Sequence, residues 1–293
     1  MTLKYSVSLN KVGLKSADEA YGGYLNAYAF HETDFDTWFN NFKNLVISKM
    51  GKEYFPVYRM ADGEYRFIMG RKYNFHKKPL WRELIAVTAE KTRIKNPNRW
   101  KTSWGEAYAP SRVKQLRKDL IQNVRYIAEK GYLACYFNEN GLNAFVEYNN
   151  SLIPFFNKNS IKFNATNYVP FHFICGLLVK PGWETFYKNR TILIATGSDD
   201  VSEAKINTTL KAFGAKSVVF LRISKTASME EVLDLTSITQ KIDICFVAAG
   251  IGSANIVKQL EPLNTVVLDI GGYINCYVDK EASQHGGIFK LPI

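Results

Sequence analysis

The sequence predicts an α/β protein with a doubly wound, mostly parallel sheet covered by helices on both faces. Two observations carry that expectation. In the C-terminal third, strand-like apolar runs at Thr191–Ala195, Ser217–Leu221, Ile242–Ala248 and Thr265–Asp269 alternate with segments of helical length at Val201–Phe213, Met229–Gln240 and Asn255–Leu260. Such alternation implies parallel strands joined by right-handed crossovers. The runs are also continuously apolar, as strands buried on both sides must be. At 293 residues, 46% apolar and 22% charged, the chain can bury a substantial core. It reads as one domain over 1–293, with 1–33 as an N-terminal extension and 190–277 as its clearest βαβ unit.

Residues 1–30 show no clear period, and a tail and a hairpin both stay open. From Asp34, a candidate N-cap, the spacing of Phe35, Trp38, Phe39, Phe42, Leu45 and Val46 is helical, with Gly51 as a stop. Phe55–Arg59 is a short strand, broken by a polar turn at Met60–Glu64. Leu80–Arg93 and Pro110–Lys130 read as helices, the second with an apolar stripe at Val113, Leu116, Leu120, Val124 and Ile127 and Gly131 beyond its end. Tyr132–Phe137 follows as a buried strand, and 138–180 resists parsing.

No apolar stretch approaches the roughly 20 residues of a membrane span, and the N-terminus has no signal-peptide pattern, so a cytoplasmic protein is expected. The four cysteines, Cys135, Cys175, Cys245 and Cys276, each lie in apolar runs without metal-ligand spacing and read as buried free thiols. The net charge is +11, and Glu90–Lys130 alone holds eleven basic residues against four acidic. An anionic partner is therefore expected: a nucleotide diphosphate, a lipid-linked acceptor at an anionic membrane face to which the protein would be peripheral, or nucleic acid.

In such a sheet, ligands bind beyond the carboxyl ends of the strands. The loops there carry Gly197-Ser198-Asp199, Ser224-Lys225-Thr226, Gly250-Ile251-Gly252-Ser253 and Asp269-Ile270-Gly271-Gly272. Gly250 and Gly252 open a helix and could expose amides to a phosphate, although a plain tight turn fits equally. Asp269 either faces the crevice as a catalytic carboxylate or caps the turn after it. Asp62 and Glu64, one residue apart around Gly63, could offer hard oxygen ligands to Mn²⁺ or Mg²⁺, with Arg59 and Arg66 beside them for phosphate oxygens. Taken alone, that triplet is an ordinary solvated turn. Glu106 and Glu139 are candidate bases toward an acceptor hydroxyl, with solvated carboxylates as the plainer reading. His172, among Phe171, Phe173 and Ile174, reads as a satisfied core histidine. Trp81, Trp100, Trp104 and Trp183 could stack on a sugar or base or simply fill cores.

The stretch Arg59-Met60-Ala61-Asp62-Gly63-Glu64-Tyr65 resembles the Arg-x-x-Asp-Gly-Glu-aromatic signature of the GT-D glycosyltransferases, a Rossmann-like family. The strand Asp243–Gly250 and the closing Val267-Leu268-Asp269-Ile270-Gly271 resemble that family's C-terminal strands, so the likeness touches residues 55–277 in order. It implies a metal-dependent glycosyltransferase that moves a sugar from a nucleotide-sugar donor, a UDP-sugar foremost, to a hydroxyl of a glycan or lipid-linked acceptor. Asp62 and Glu64 would hold the metal, and Arg59, Gly63, Arg66, Gly197, Ser198, Gly250, Gly252 and Gly271 would lie at the donor. The chain departs from the family at Gly272-Tyr273-Ile274-Asn275-Cys276, where many members carry His and acidic residues. Two other readings stand beside this one. A Rossmann-type methyltransferase using S-adenosylmethionine would leave Asp62-Gly63-Glu64 unexplained, and a nucleic-acid-binding module would use basic residues that also fit a solvated helix face.

Overall fold

The computed structural model describes residues 3–8, 24–28, 34–70, 79–82, 84–85, 87–88, 110–136, 146–279 and 291. Strands β1 (Leu3–Ser8) and β2 (Tyr24–Tyr28) form an antiparallel hairpin of their own, so the second of the two options for the N-terminus is the one adopted. Helix α1 (Phe35–Lys49) starts where the sequence predicts. The Asp34 carboxylate accepts the amides of Asp36 and Thr37 at 3.0 Å, satisfying two of the donors a helix start leaves open. Phe35, Trp38, Phe39, Phe42 and Val46 are the buried face, and four of their rings meet Phe173 edge-on or tilted.

The main sheet has seven strands in the order β5 (Tyr168–Pro170), β4 (Tyr132–Cys135), β3 (Phe55–Met60), β9 (Val266–Asp269), β8 (Ile244–Ala248), β6 (Thr191–Thr196) and β7 (Ser217–Arg222), and every pairing is parallel. Successive residues of a strand point to opposite faces. All six residues of β3 and of β6 are buried, so both faces of the sheet are covered, as the continuous apolar runs predict. Helix α3 (Pro110–Lys130) buries all five residues of its predicted stripe and packs with α7 (Ser253–Gln259) over β3. Each such side chain contributes about 1.5–3 kcal/mol on burial. The segment that resisted parsing holds α4 (Val146–Lys158), β5 and the fully buried α5 (Phe173–Val179). Helices α6 (Asp200–Ala212) and α8 (Ile274–Val278) complete the C-terminal half.

One predicted helix does not form. Residues 229–240 run as turns and extended chain, with the Glu231 carbonyl and the Leu233 amide bonded to α7 side chains. Asn255 donates to the carbonyls of Ser228 and Glu231, and Gln259 donates to Glu231 and accepts the amide of Leu233. Asp234 caps its own turn by accepting from the Thr236 amide. Strand β7 thus reaches β8 by a strap laid on α7.

Candidate functional site

The strand order creates two places where neighbouring strands lead away from each other. From β3 the chain moves outward to β4 and β5, whereas β9 is reached from β8 on the other side. From β6 the chain moves to β7 and then returns across to β8. Side chains and loops part above such switch points and leave a crevice. A cavity of about 300 Å³ lies at the β6–β8 switch, lined by the loops that follow β6, β7, β8 and β9. Four residues expected at a donor, Gly197, Ser198, Gly250 and Gly271, line it together. Ser224, Lys225, Ser228 and Asn275 line it too, and among the described lining residues none is acidic or a histidine. Lys225 belongs to a loop visible in the sequence, but nothing local marks it. Its importance appears only in space, where its side chain passes so close to Gly197 that a Cβ there would sit 2.7 Å from its Cγ.

The β3–β9 switch is built around Arg59. This side chain is 8% exposed, and its guanidinium lies 4.8 Å above the Phe171 ring, with Nη1 3.8 Å from the Cys175 thiol. Its Nε has no hydrogen-bond partner, and no carboxylate among the described residues pairs with it. Gly271, on the cavity rim with φ of 44°, lies directly against Nη2, so a Cβ there would collide with the guanidinium. The arginine therefore reaches from beneath β3 to the edge of the cavity.

Asp269 is 4% exposed and does not line the cavity. Its Oδ2 accepts the Arg59 amide at 3.2 Å, and its Oδ1 accepts the Ser253 hydroxyl at 3.2 Å. It ties β9 to β3 and to the first residue of α7. Burial raises its pKa to about 6 against the lowering influence of Arg59 and these hydrogen bonds. Asp269 also has a hydrogen bond with the Gly271 backbone, which is the contact expected of a cap on the turn that follows. His172 is also buried beside Arg59, but it is not the satisfied histidine expected. It lies between the Phe171 and Tyr136 rings, and neither ring nitrogen has a partner. Burial, then the nearby Arg59, pull its pKa down to about 3, so it is neutral at physiological pH.

Asp62, Gly63 and Glu64 do not form a free turn. They are the first turn of helix α2 (Asp62–Met69), which begins one residue after β3 ends. Glu64 sits at the third helical position, and its Oε2 accepts the Ala61 amide at 3.0 Å. Positions 62 and 64 leave the helix axis about 200° apart, and the side chain of Asp62 lies outside what is described. Gly63 and Arg66 are exposed on the same helix, outside the cavity lining. Tyr58, whose buried hydroxyl is unpartnered, lies between this turn and Asp269 electrostatically, and burial, then Glu64 and Asp269, push its pKa far up.

Other expected residues are placed differently. Gly252 is buried and lets Ser228 approach where any Cβ would overlap it; it supports the lining without joining it. Asp199 caps α6 by accepting the Ser202 amide at 2.9 Å. Trp183 packs against Tyr187 and Phe213, and the four cysteines are buried free thiols as expected. Glu106, Glu139, Trp100 and Trp104 lie outside the described residues. The cationic face of α3 is partly used internally, since Arg112 pairs with Glu230 and Arg117 donates to the Phe67 carbonyl at 2.6 Å. Lys114, Lys118 and Arg125 remain exposed.

No family model and no curated protein matches this chain by sequence. Among solved structures, one described as a new glycosyltransferase (domain of unknown function 1792) from Streptococcus sanguinis aligns with TM-score 0.45 at 16% identity, covering 83% of this chain and 81% of that one. A domain of unknown function 1792 with substituted selenomethionine aligns at TM-score 0.46 and 15% identity over 86% and 88% of the two chains. A third, described as having a distinct glycosyltransferase fold, aligns at TM-score 0.44 and 15% identity over 87% and 88%.

The fit of a metal follows from the donor set. Among the described residues no group of three or more His, Cys, Asp or Glu is placed to hold an ion. A cation held from positions 62 and 64 would take its other ligands from phosphate and water, as Mg²⁺ does. Glu64 would have to release the Ala61 amide to join it.

Proposed function

We propose that the protein transfers a sugar from a nucleotide-sugar donor, a UDP-sugar foremost, to a hydroxyl of a glycan or lipid-linked acceptor. The observation that carries this reading is the Arg59 guanidinium: buried, without an ion pair among the described residues, and held against Gly271 at the rim of a cavity with no acidic residue in its described lining. An uncompensated buried charge costs several kcal/mol, and an anionic ligand is what offsets it. In glycosyl transfer the departing nucleoside diphosphate gains negative charge as the bond to the sugar breaks. Donors already fixed around it stabilise that charge without reorganising. Arg59 and Lys225 would face the phosphates from two sides, and Ser198, Ser224 and Ser228 would supply hydroxyls. Asp269 positions Arg59 through the backbone amide and takes no proton from the acceptor. A divalent cation at Asp62, joined by Glu64, would neutralise further diphosphate charge when bound.

An adenosyl cofactor is less well served, because S-adenosylmethionine is a cationic sulfonium without phosphate and the charge at the site is positive. The test is a thermal-shift screen of nucleotides, nucleotide sugars and S-adenosylmethionine with and without Mn²⁺, since a ligand of the native state raises the melting temperature. Nucleoside diphosphates and their sugars should stabilise the protein, and one sugar nucleotide should be hydrolysed slowly. Stabilisation by S-adenosylmethionine alone, or by no nucleotide, would overturn the reading.

A further inference from the structure

Away from the cavity, residues 80–82, 84–85 and 87–88 are helical, with the Arg82 amide bonded to the Pro79 carbonyl and the Thr88 hydroxyl to that of Leu84. Leu80, Trp81, Leu84 and Ile85 are 62%, 58%, 55% and 61% exposed. They are four of the six exposed large hydrophobic side chains in the described chain, so this is a patch and not scatter. At about 100° per residue the four fall within roughly 140° of arc, with Arg82 outside it. An apolar helix face of that width normally packs on a core. This one faces outward.

The charge of the segment says what covers it. From Arg71 to Lys101 the sequence holds ten Lys and Arg against two Glu, which is +8 of the chain's +11. A second copy of the same face would bring like charge against like charge. A nucleic acid would meet the charges but leave four apolar side chains in water. A lipid surface with anionic headgroups uses both: apolar side chains enter the headgroup boundary, Trp prefers that depth, and each nearby cation is attracted to the negative surface. No described helix is long and apolar enough to cross a membrane. We propose that the face bearing Leu80, Trp81, Leu84 and Ile85 docks the protein on an anionic lipid bilayer.

So short an apolar face is a weak anchor alone, so binding should require anionic lipid and fall with salt. The experiment is co-sedimentation of the full chain with phosphatidylcholine vesicles, with and without phosphatidylglycerol. The wild type should pellet with the mixed vesicles only, and high salt should release it. A Leu84→Asp/Ile85→Asp variant should partition at least about tenfold less, through lost apolar contact and added negative charge. Its melting temperature should be unchanged, because both side chains are exposed. As a second measure, the emission of the wild type minus that of Trp81→Phe should shift to the blue on mixed vesicles. Equal pelleting of wild type and double variant, or an unshifted Trp81 signal, would overturn the proposal. So would a wild-type dimer that becomes a monomer in the double variant, or RNA binding lost in it while lipid binding is absent.

Discussion

Replacing Arg59 by Met separates a ligand-binding guanidinium from a structural one by the sign of its effect. The side chain is 8% exposed and lies against a thiol, an aromatic ring and Gly271. Where no ionised carboxylate depends on it, exchanging a buried charge for an apolar chain of similar length removes a desolvation cost and should be neutral or stabilising. The compensation depends on pH, because the nearest carboxylate, Asp269, has its pKa raised to about 6 by burial, with Arg59 acting against that rise. At pH 5 Asp269 is mostly protonated and the cation stands alone, so the gain from removing it should be largest there. At pH 7.5 the carboxylate is ionised, Arg59 helps hold it so, and the gain should shrink. Losing one partner of a charge-assisted contact costs a ligand about 2–5 kcal/mol, which weakens nucleotide affinity by tens to thousands of times. Urea unfolding at both pH values and calorimetric titration with a nucleoside diphosphate measure the two effects. A variant destabilised at both pH values that still binds nucleotide normally would refute the reasoning.

Glu64→Gln keeps an oxygen for the Ala61 amide and should leave stability unchanged, whereas Glu64→Ala should lose about 1 kcal/mol of cap; both should lose the Mn²⁺-dependent part of nucleotide affinity, and its survival in the Gln variant would exclude the carboxylate as a ligand. Lys225→Met should weaken nucleotide binding about tenfold and flatten its salt dependence, as read by titration at two ionic strengths. Because burial raises the folded pKa of Asp269 from 3.8 to about 6, its protonated form is favoured on folding, so the contribution is full below about pH 4 and is lost as pH rises through about 6. Asp269→Asn should therefore flatten the stability curve across that window by about 3 kcal/mol in urea titrations. Lys114→Glu/Lys118→Glu, on the exposed part of α3, should slow transfer to the natural acceptor at low salt while leaving donor hydrolysis intact; equal loss of both would place α3 at the donor.

What the sequence made legible is what depends on local pattern. The five-residue stripe of α3, the Asp34 cap and the apolar runs of β6, β8 and β9 each follow from spacing and side-chain type, and the structure keeps them within a residue or two. What failed depends on partners far along the chain. The strap at 229–240 has helical length and composition, yet its Glu231 carbonyl is taken by both Asn255 and Gln259, more than twenty residues away. Glu64 reads as a ligand beside Asp62 until helix α2 starts one residue earlier than a turn would allow and draws it back to Ala61. Lys225 has no motif around it, and only the crossing of two loops brings it to Gly197. Arg117 has the spacing of a solvated cation, but it bonds Phe67 on α2.

Where a phosphate would settle can be argued from which positive charge is already answered. The glycine turn at Gly250–Gly252 invites attention first, since amides at a helix start attract anions. Yet the Ala249 amide already reaches the Ser253 hydroxyl, which in turn donates to Asp269. A carboxylate with a pKa of about 6 is ionised at neutral pH, so the start of α7 has a resident anion beneath it. That same carboxylate holds Arg59 by its backbone amide and leaves the guanidinium Nε without a hydrogen-bond partner. The fold thus spends its buried negative charge on fixing the arginine in place, and the positive charge left over points at Gly271 and the cavity. A diphosphate placed there would meet Arg59 from below and Lys225 from across the β6 loop. On that reading the glycines would serve chiefly by the backbone room they leave, and the arginine would supply the attraction.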